Sequence, residues 1–125
     1  MAKQQVQTDN APPPAGPYSQ AIRVGDFVFV AGQGPRDPET GGIADTIEGQ
    51  SKQVLDNIKA ILEAAGASMA DVVKSTINLD DLARFDDFNK VYETYFPDPK
   101  PARTTVGSQL PGVMVSVEVI AYIGG

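Results

Sequence analysis

The last predicted strand carries apolar residues on both of its faces, and no other stretch constrains the fold as tightly. From Val113 to Ile123 the side chains alternate. Val113, Val115, Val117, Val119 and Ala121 point one way, and Met114, Ser116, Glu118, Ile120 and Tyr122 the other. A second run, Phe27-Val28-Phe29-Val30, is apolar throughout, which places it in the interior of a sheet. Two apolar faces need two covers, and the chain has helices enough for one.

Those helices are legible by period. Val54, Leu55, Ile58, Ile61, Leu62 and Ala65 recur at helical spacing, Asp45 with Glu48 resembles a capping box at the start, and Gly66 marks the stop. A second stripe, Leu82, Phe85, Phe88, Val91, Tyr92, Tyr95 and Phe96, keeps spacings of three and four up to Pro97. It holds most of the aromatic residues and reads as core packing.

The other segments are extended. Gln4 to Asp9 alternates as an edge strand, and Gln20 to Ala31 is a hairpin turning at Gly25-Asp26. Ser68-Met69-Ala70-Asp71 is a cap and turn. After it, Val73, Ser75, Ile77 and Leu79 alternate with Lys74, Thr76, Asn78 and Asp80 in a strand with one wetter face. A strand through Arg103 follows the second helix, and Leu110-Pro111-Gly112 turns the chain into the last strand.

The order is therefore β, hairpin, α, β, α, β, β. It predicts an α+β fold, one domain over residues 1–125, with two helices on one face of a single mixed sheet. The other face is left to water or to a second copy of the chain. An open apolar patch of that size is unusual for a monomer, so we expect association through sheet faces, with ligand clefts between subunits.

Composition removes much chemistry. The chain has no cysteine and no histidine. That excludes disulfides, thiolate nucleophiles, a Ser-His-Asp triad and the commonest transition-metal ligand. Sixteen acidic residues face ten basic ones, without a Lys/Arg cluster, which argues against a nucleic-acid partner and against a ribonuclease. No apolar run approaches the ~20 residues of a membrane span, and Met1 to Asn10 lacks an apolar signal core. We expect a cytoplasmic protein with no membrane partner. Its chemistry must use arginine, tyrosine, hydroxyls, carboxylates, backbone groups and water.

Among these, Arg103 stands out. Pro99-Lys100-Pro101 forces an extended approach and delivers the arginine at the mouth of the strand Thr104-Thr105-Val106. A guanidinium matches a carboxylate with two parallel hydrogen bonds, so a small organic acid is the natural guest. A structural ion pair would use the same residue. Two other stretches invite a ligand. Asn10-Ala11-Pro12-Pro13-Pro14-Ala15-Gly16-Pro17 is a stiff loop leading into Tyr18-Ser19-Gln20. Ala31-Gly32-Gln33-Gly34-Pro35 ends a strand with glycines that allow close approach of a ligand or simply a bend.

Taken together, these blocks resemble the Rid family of reactive intermediate deaminases, also called the YjgF/YER057c/UK114 family. The resemblance runs over essentially the whole chain. It rests on Asn10-Ala11-Pro12, Gly16-Pro17-Tyr18-Ser19-Gln20-Ala21, Gly32-Gln33, Asp37-Pro38 with Thr40-Gly41, Gln53-Val54-Leu55-Asp56-Asn57, Glu63-Ala64-Ala65-Gly66-Ala67, Phe88-Asn89-Lys90-Val91-Tyr92 and Pro101-Ala102-Arg103. It implies a chorismate-mutase-like fold assembled as a homotrimer, with sheets forming an inner barrel and three clefts between subunits. It implies hydrolysis of 2-imino acids or their enamine tautomers to 2-keto acids and ammonia, with no metal or organic cofactor.

By the same resemblance Arg103 is the carboxylate clamp and Tyr18 lines the cleft. Gly32 lies beside the ligand, Asn89 reaches in from the helix, and Thr105 offers a backbone carbonyl to the substrate nitrogen. Two positions depart from the family pattern. Ala31 stands where deaminating members carry serine, and Ser116 aligns with the glutamate that positions the attacking water. Glu118 matches a second acidic position two residues on and would substitute as the catalytic carboxylate, or serve as a rim ion-pair residue. The alignment crosses the Leu110-Pro111-Gly112 turn, and a slip of two residues would restore the glutamate at Glu118. These departures leave two alternatives: a deaminase for a different imine, such as an aminomuconate, and a non-catalytic carboxylate-binding or regulatory trimer.

Overall fold

In the computed structural model, which describes residues 2–125, six strands form one mixed sheet. In chain order the elements are β1 (Gln4–Val6), β2 (Ala21–Val24), β3 (Phe27–Gln33), α1 (Ile47–Ala64), β4 (Val72–Leu79), α2 (Phe85–Tyr95), β5 (Ala102–Gly107) and β6 (Val115–Tyr122). The sheet runs β1-β2-β3-β6-β4-β5. Every pairing is antiparallel except β4 with β5, which is parallel and joined through α2. The expected architecture is observed: two helices and a single mixed sheet.

The hairpin closes between Val24 and Phe27, with Gly25 at φ 56° in the first turn position, where only glycine is at ease. The edge strand is shorter than its alternation suggests, ending at Val6. Thr8 instead donates its N–H to the Gln20 Oε1 at 2.8 Å, and Gln20 Nε2 returns bonds to the carbonyls of Thr8 and Pro12 at 3.0 and 2.9 Å. One buried glutamine thus fixes the arm that carries the proline loop. The last strand begins at Val115 rather than Val113, because Gly112 turns at φ 76° and Met114 is taken up by α1: its N–H donates to Gln50 Oε1 at 2.8 Å.

The start of α1 differs from the capping box read at Asp45. Thr46 is the N-cap, its hydroxyl accepting the Gly49 N–H at 3.1 Å. The helix phase is set by burial of Ile47 and Gln50, which leaves Asp45 one residue too early. Thr46→Ala is therefore expected to cost about 1 kcal/mol of stability, and Asp45→Ala much less, measured by urea denaturation.

The wetter-face reading of β4 holds from Ser75 onward. Val73 is the exception. A bulge between Val72 and Lys74 turns Val72 inward and leaves Val73 46% exposed. On the helix side of the sheet, Val28, Val30, Ile77, Leu79, Val115, Val117, Val119 and Ala121 pack against Val54, Leu55, Ile58, Ile61 and Leu62 of α1 and Phe88 of α2. The far side carries Phe27, Phe29 and Tyr122, all largely exposed, with Phe27 5.1 Å from the Tyr122 ring. Among the described residues no element covers that face. No helix among the described residues is long and apolar enough to cross a membrane.

Candidate functional site

Arg103 lies on β5, the edge strand, opposite Ser75 of β4. Ser75 is fully buried on the helix side, so the Arg103 side chain points toward α2 rather than to the open face. There its guanidinium carbon sits 4.8 Å from the ring centre of Tyr92, 5.3 Å from Phe85 and 5.7 Å from Phe88. These distances are those of cation–π contacts. Among the described residues no carboxylate lies within ion-pair distance of Arg103, and its N–H groups make no hydrogen bond within the chain. Beneath it the Tyr92 and Ser75 hydroxyls share a 2.6 Å hydrogen bond. Burial pushes the Tyr92 hydroxyl above its usual range, against the pull of the Ser75 bond and the Arg103 charge.

The approach to β5 is clasped from behind. Lys100 Nζ donates to the Phe96 carbonyl and, at 3.0 Å, to that of Glu93, which closes the end of α2. Phe96 has left the helix for extended backbone ahead of Pro97. Helix and strand are thereby held together, and with them the rings and the cation.

Part of the aromatic stripe departs from the core-packing expectation. Phe88, Tyr92 and Phe96 are buried, whereas Leu82 and Phe85 remain 53% and 40% exposed, Phe85 beside Arg103. The three rings around the guanidinium are the feature that sequence reading missed. Their i, i+3, i+7 spacing was visible, but periodicity alone does not separate a core stripe from a cation seat. Asn89 follows Phe88 on α2. Its Oδ1 is shielded from solvent and has no hydrogen-bond partner, an arrangement that costs about 1–3 kcal/mol unless another group arrives. Thr105, two residues beyond Arg103, pairs with Ile77 and shares the helix-side orientation.

The remaining candidates lie elsewhere. Tyr18 is half exposed, and its hydroxyl accepts the Ala15 N–H at 3.2 Å. It borders two cavities. One, of about 440 Å³, includes Gly32, Gln33 and the proline loop. A methyl group on Gly32 would meet nothing within 4 Å, so its backbone is open to that space. The other, of about 490 Å³, brings Tyr18 together with Ala31 and Glu118. Glu118 and Ser116 pair with Thr76 and Asn78 of β4, which places both on the open face of the sheet, as their shared parity predicts.

The site residues thus fall into two groups within one protomer. Arg103, Thr105 and Asn89 belong to the helix side and the β5 edge. Tyr18, Ala31, Glu118 and Ser116 belong to the opposite face and the β2–β3 region, with Gly32 close by. Side chains on opposite faces of one sheet do not converge.

A family model described as Endoribonuclease L-PSP matches residues 8–123. The chain belongs to this family, the YjgF/RutC/Rid family. A RutC family protein of Pyrococcus abyssi is 57% identical over 125 residues, covering 98% of each chain. The 2-iminobutanoate/2-iminopropanoate deaminase of Salmonella typhimurium is 41% identical over 121 residues, covering 93% of this chain and 94% of its own. The solved structure of E. coli TdcF with bound serine superposes with a TM-score of 0.92 at 35% identity, covering 97% of this chain and 99% of that one.

Within this Rid-family chain the positions expected to depart from the family pattern, Ala31 and Ser116, are joined by Glu118 on the open side of the sheet. Ala31 and Glu118 border the same cavity as Tyr18, whereas Ser116 is not among that cavity's lining residues. Glu118 therefore shares a cavity with Tyr18, and Ser116 does not.

Proposed function

We propose that this chain hydrolyses 2-imino carboxylic acids, or their enamine tautomers, to 2-keto acids and ammonia, in clefts between three copies of itself. The observation that carries this reading is the Arg103 guanidinium, seated on aromatic rings and, among the described residues, without a carboxylate partner. A clamp for a small organic acid needs that combination. The name of the Salmonella relative and the serine in the TdcF neighbour support a small amino- or imino-acid ligand. The uncovered apolar face and the division of the site into two groups support assembly, with Arg103, Thr105 and Asn89 of one copy meeting Tyr18, Gly32, Ala31 and Glu118 of the next.

In this mechanism Arg103 fixes the substrate carboxylate. Tyr18 and backbone groups near Gly32 and Thr105 orient the nitrogen. A protonated imine is already electrophilic, so no metal or organic cofactor is required; the site has to place a water and accept its proton. Glu118 does both. The water oxygen bonds to the imine carbon as the C=N π pair moves to nitrogen and Glu118 takes a water proton, giving a carbinolamine; Glu118 then returns that proton to the nitrogen, the C–N bond breaks, and ammonia leaves as the hydroxyl gives up its proton and the keto group forms.

The test is a coupled assay in which a dehydratase generates 2-iminobutanoate or 2-aminoacrylate and keto-acid release is followed. Acceleration over buffer supports the proposal. No acceleration, together with tight 2-keto acid binding, assigns the chain to the carboxylate-binding alternative. Glu118→Gln is expected to lower kcat by about 10²-fold or more, the usual scale for a general base, while Ser116→Ala changes it by less than about threefold. The reverse order would return the catalytic position to Ser116. RNA cleavage is not proposed despite the family's description, given the acidic balance and the absence of histidine.

A further inference from the structure

We propose that Phe88 and Tyr92 are positioning residues for Arg103: their ring faces hold the guanidinium at the β5 edge while leaving its N–H fork free for the ligand carboxylate. This rests on reading Arg103 as the clamp. The argument starts from the shape of the group. Guanidinium donors lie in its plane, whereas an aromatic ring attracts the cation through its π-face. A carboxylate placed here would fix the arginine equally well but would occupy two donors, and an incoming acid would then have to displace it. Rings stabilise the charge without using the donors.

Tyr92 is the closest ring, at 4.8 Å, and it is itself anchored. Its hydroxyl is tied at 2.6 Å to Ser75, the cross-strand neighbour of Arg103, so strand, ring and cation form one closed circuit. Phe88, 5.7 Å away, is fully buried and packs 5.6 Å from Tyr92, which fixes the tilt of both rings. Phe85 contributes a third, exposed ring at 5.3 Å. Rings that exclude water on one side also strengthen whatever bonds the fork makes on the other.

Four variants and three readouts, ligand binding, kinetics and the arginine resonance, test this. The probes are 2-oxobutanoate binding by calorimetry and steady-state kinetics with enzymatically generated 2-iminobutanoate. Tyr92→Leu, which deletes ring and hydroxyl, is expected to weaken binding about tenfold or more, with the increase in KM exceeding any fall in kcat. Tyr92→Phe keeps the ring and is expected to restore affinity to within about threefold of wild type. Phe88→Leu is expected to lie between them. In ligand-free protein the Arg103 Nε–H resonance should be sharp and shifted by the rings, and it should move toward the solvent-averaged position in Tyr92→Leu and Phe88→Leu. Should Tyr92→Leu fail to fold, Phe88→Leu and the resonance decide the matter. If Arg103→Ala abolishes binding while Phe88→Leu and Tyr92→Leu bind like wild type, the positioning role is overturned and the clamp stands. If Arg103→Ala itself binds normally, the clamp reading falls and this inference falls with it. A loss confined to kcat also overturns it.

Discussion

Arg103→Ala is expected to lower kcat/KM for 2-iminobutanoate by about 10²–10³-fold, the cost of one charge-assisted bidentate contact to a carboxylate. The folded chain should barely notice. Among the described residues Arg103 holds no ion pair whose loss would strand a buried carboxylate, and its removal forfeits only ring contacts worth about 1 kcal/mol. A large catalytic defect with a nearly unchanged denaturation midpoint is therefore the expected pattern. Arg103→Lys should recover only part of the loss. An ammonium preserves the charge but not the fork, and its flexible stem is held less well by flat rings. A variant that folded normally and retained wild-type kcat/KM would remove the anion clamp from the mechanism. Equal losses of activity and stability would instead mark Arg103 as a structural residue.

The second large effect is expected at a distance from the chemistry. Phe27→Asp places a carboxylate in the middle of the uncovered apolar patch, beside the Tyr122 ring. In the isolated protomer Phe27 is 44% exposed, so a charge there would find water and disturb little. In an assembly built on that face the charge would be desolvated without a partner, a penalty of several kcal/mol per subunit. Sedimentation of the wild type should give about three times the 13.2 kDa chain mass; the variant should sediment as a single chain and lose deaminase activity with it. Far-ultraviolet circular dichroism should stay close to wild type. A monomeric wild type, or an active monomeric variant, would remove the inter-subunit cleft from the proposal.

Much of this was legible in the sequence because burial imposes period. The α1 residues Val54 to Leu62, the parity of β6 and the Gly25-Asp26 turn each follow from a local rule, and they appear where those rules put them. Val73 was not legible, since a bulge shifts parity by one without leaving a mark in composition. The cap at Thr46 was missed because two adjacent residues, Asp45 and Thr46, both have capping side chains, and the burial of Ile47 decided between them. Phe85 was misread for a different reason. Its spacing belongs to the core stripe, but α2 is rotated so that the stripe runs off the core onto the Arg103 edge. Exposure at one end of a helix depends on how the helix is docked, and no window of sequence contains that angle. The separation of Arg103 from Glu118 by the thickness of the sheet was likewise beyond sequence reading, because it depends on which strands lie between them.

The clasp between Lys100 and the end of α2 has a consequence for how such a protein diversifies. Cation, rings and tether all come from residues 85–105 together with Ser75, a cassette confined to one quarter of the chain. The groups proposed to orient the nitrogen and to handle water and its proton, Tyr18 and Glu118, come from distant segments. On the proposed roles, substitutions in the second set would retune the reaction and leave the grip on the acid unchanged, so that one scaffold could accept a succession of chemistries on the same kind of anion.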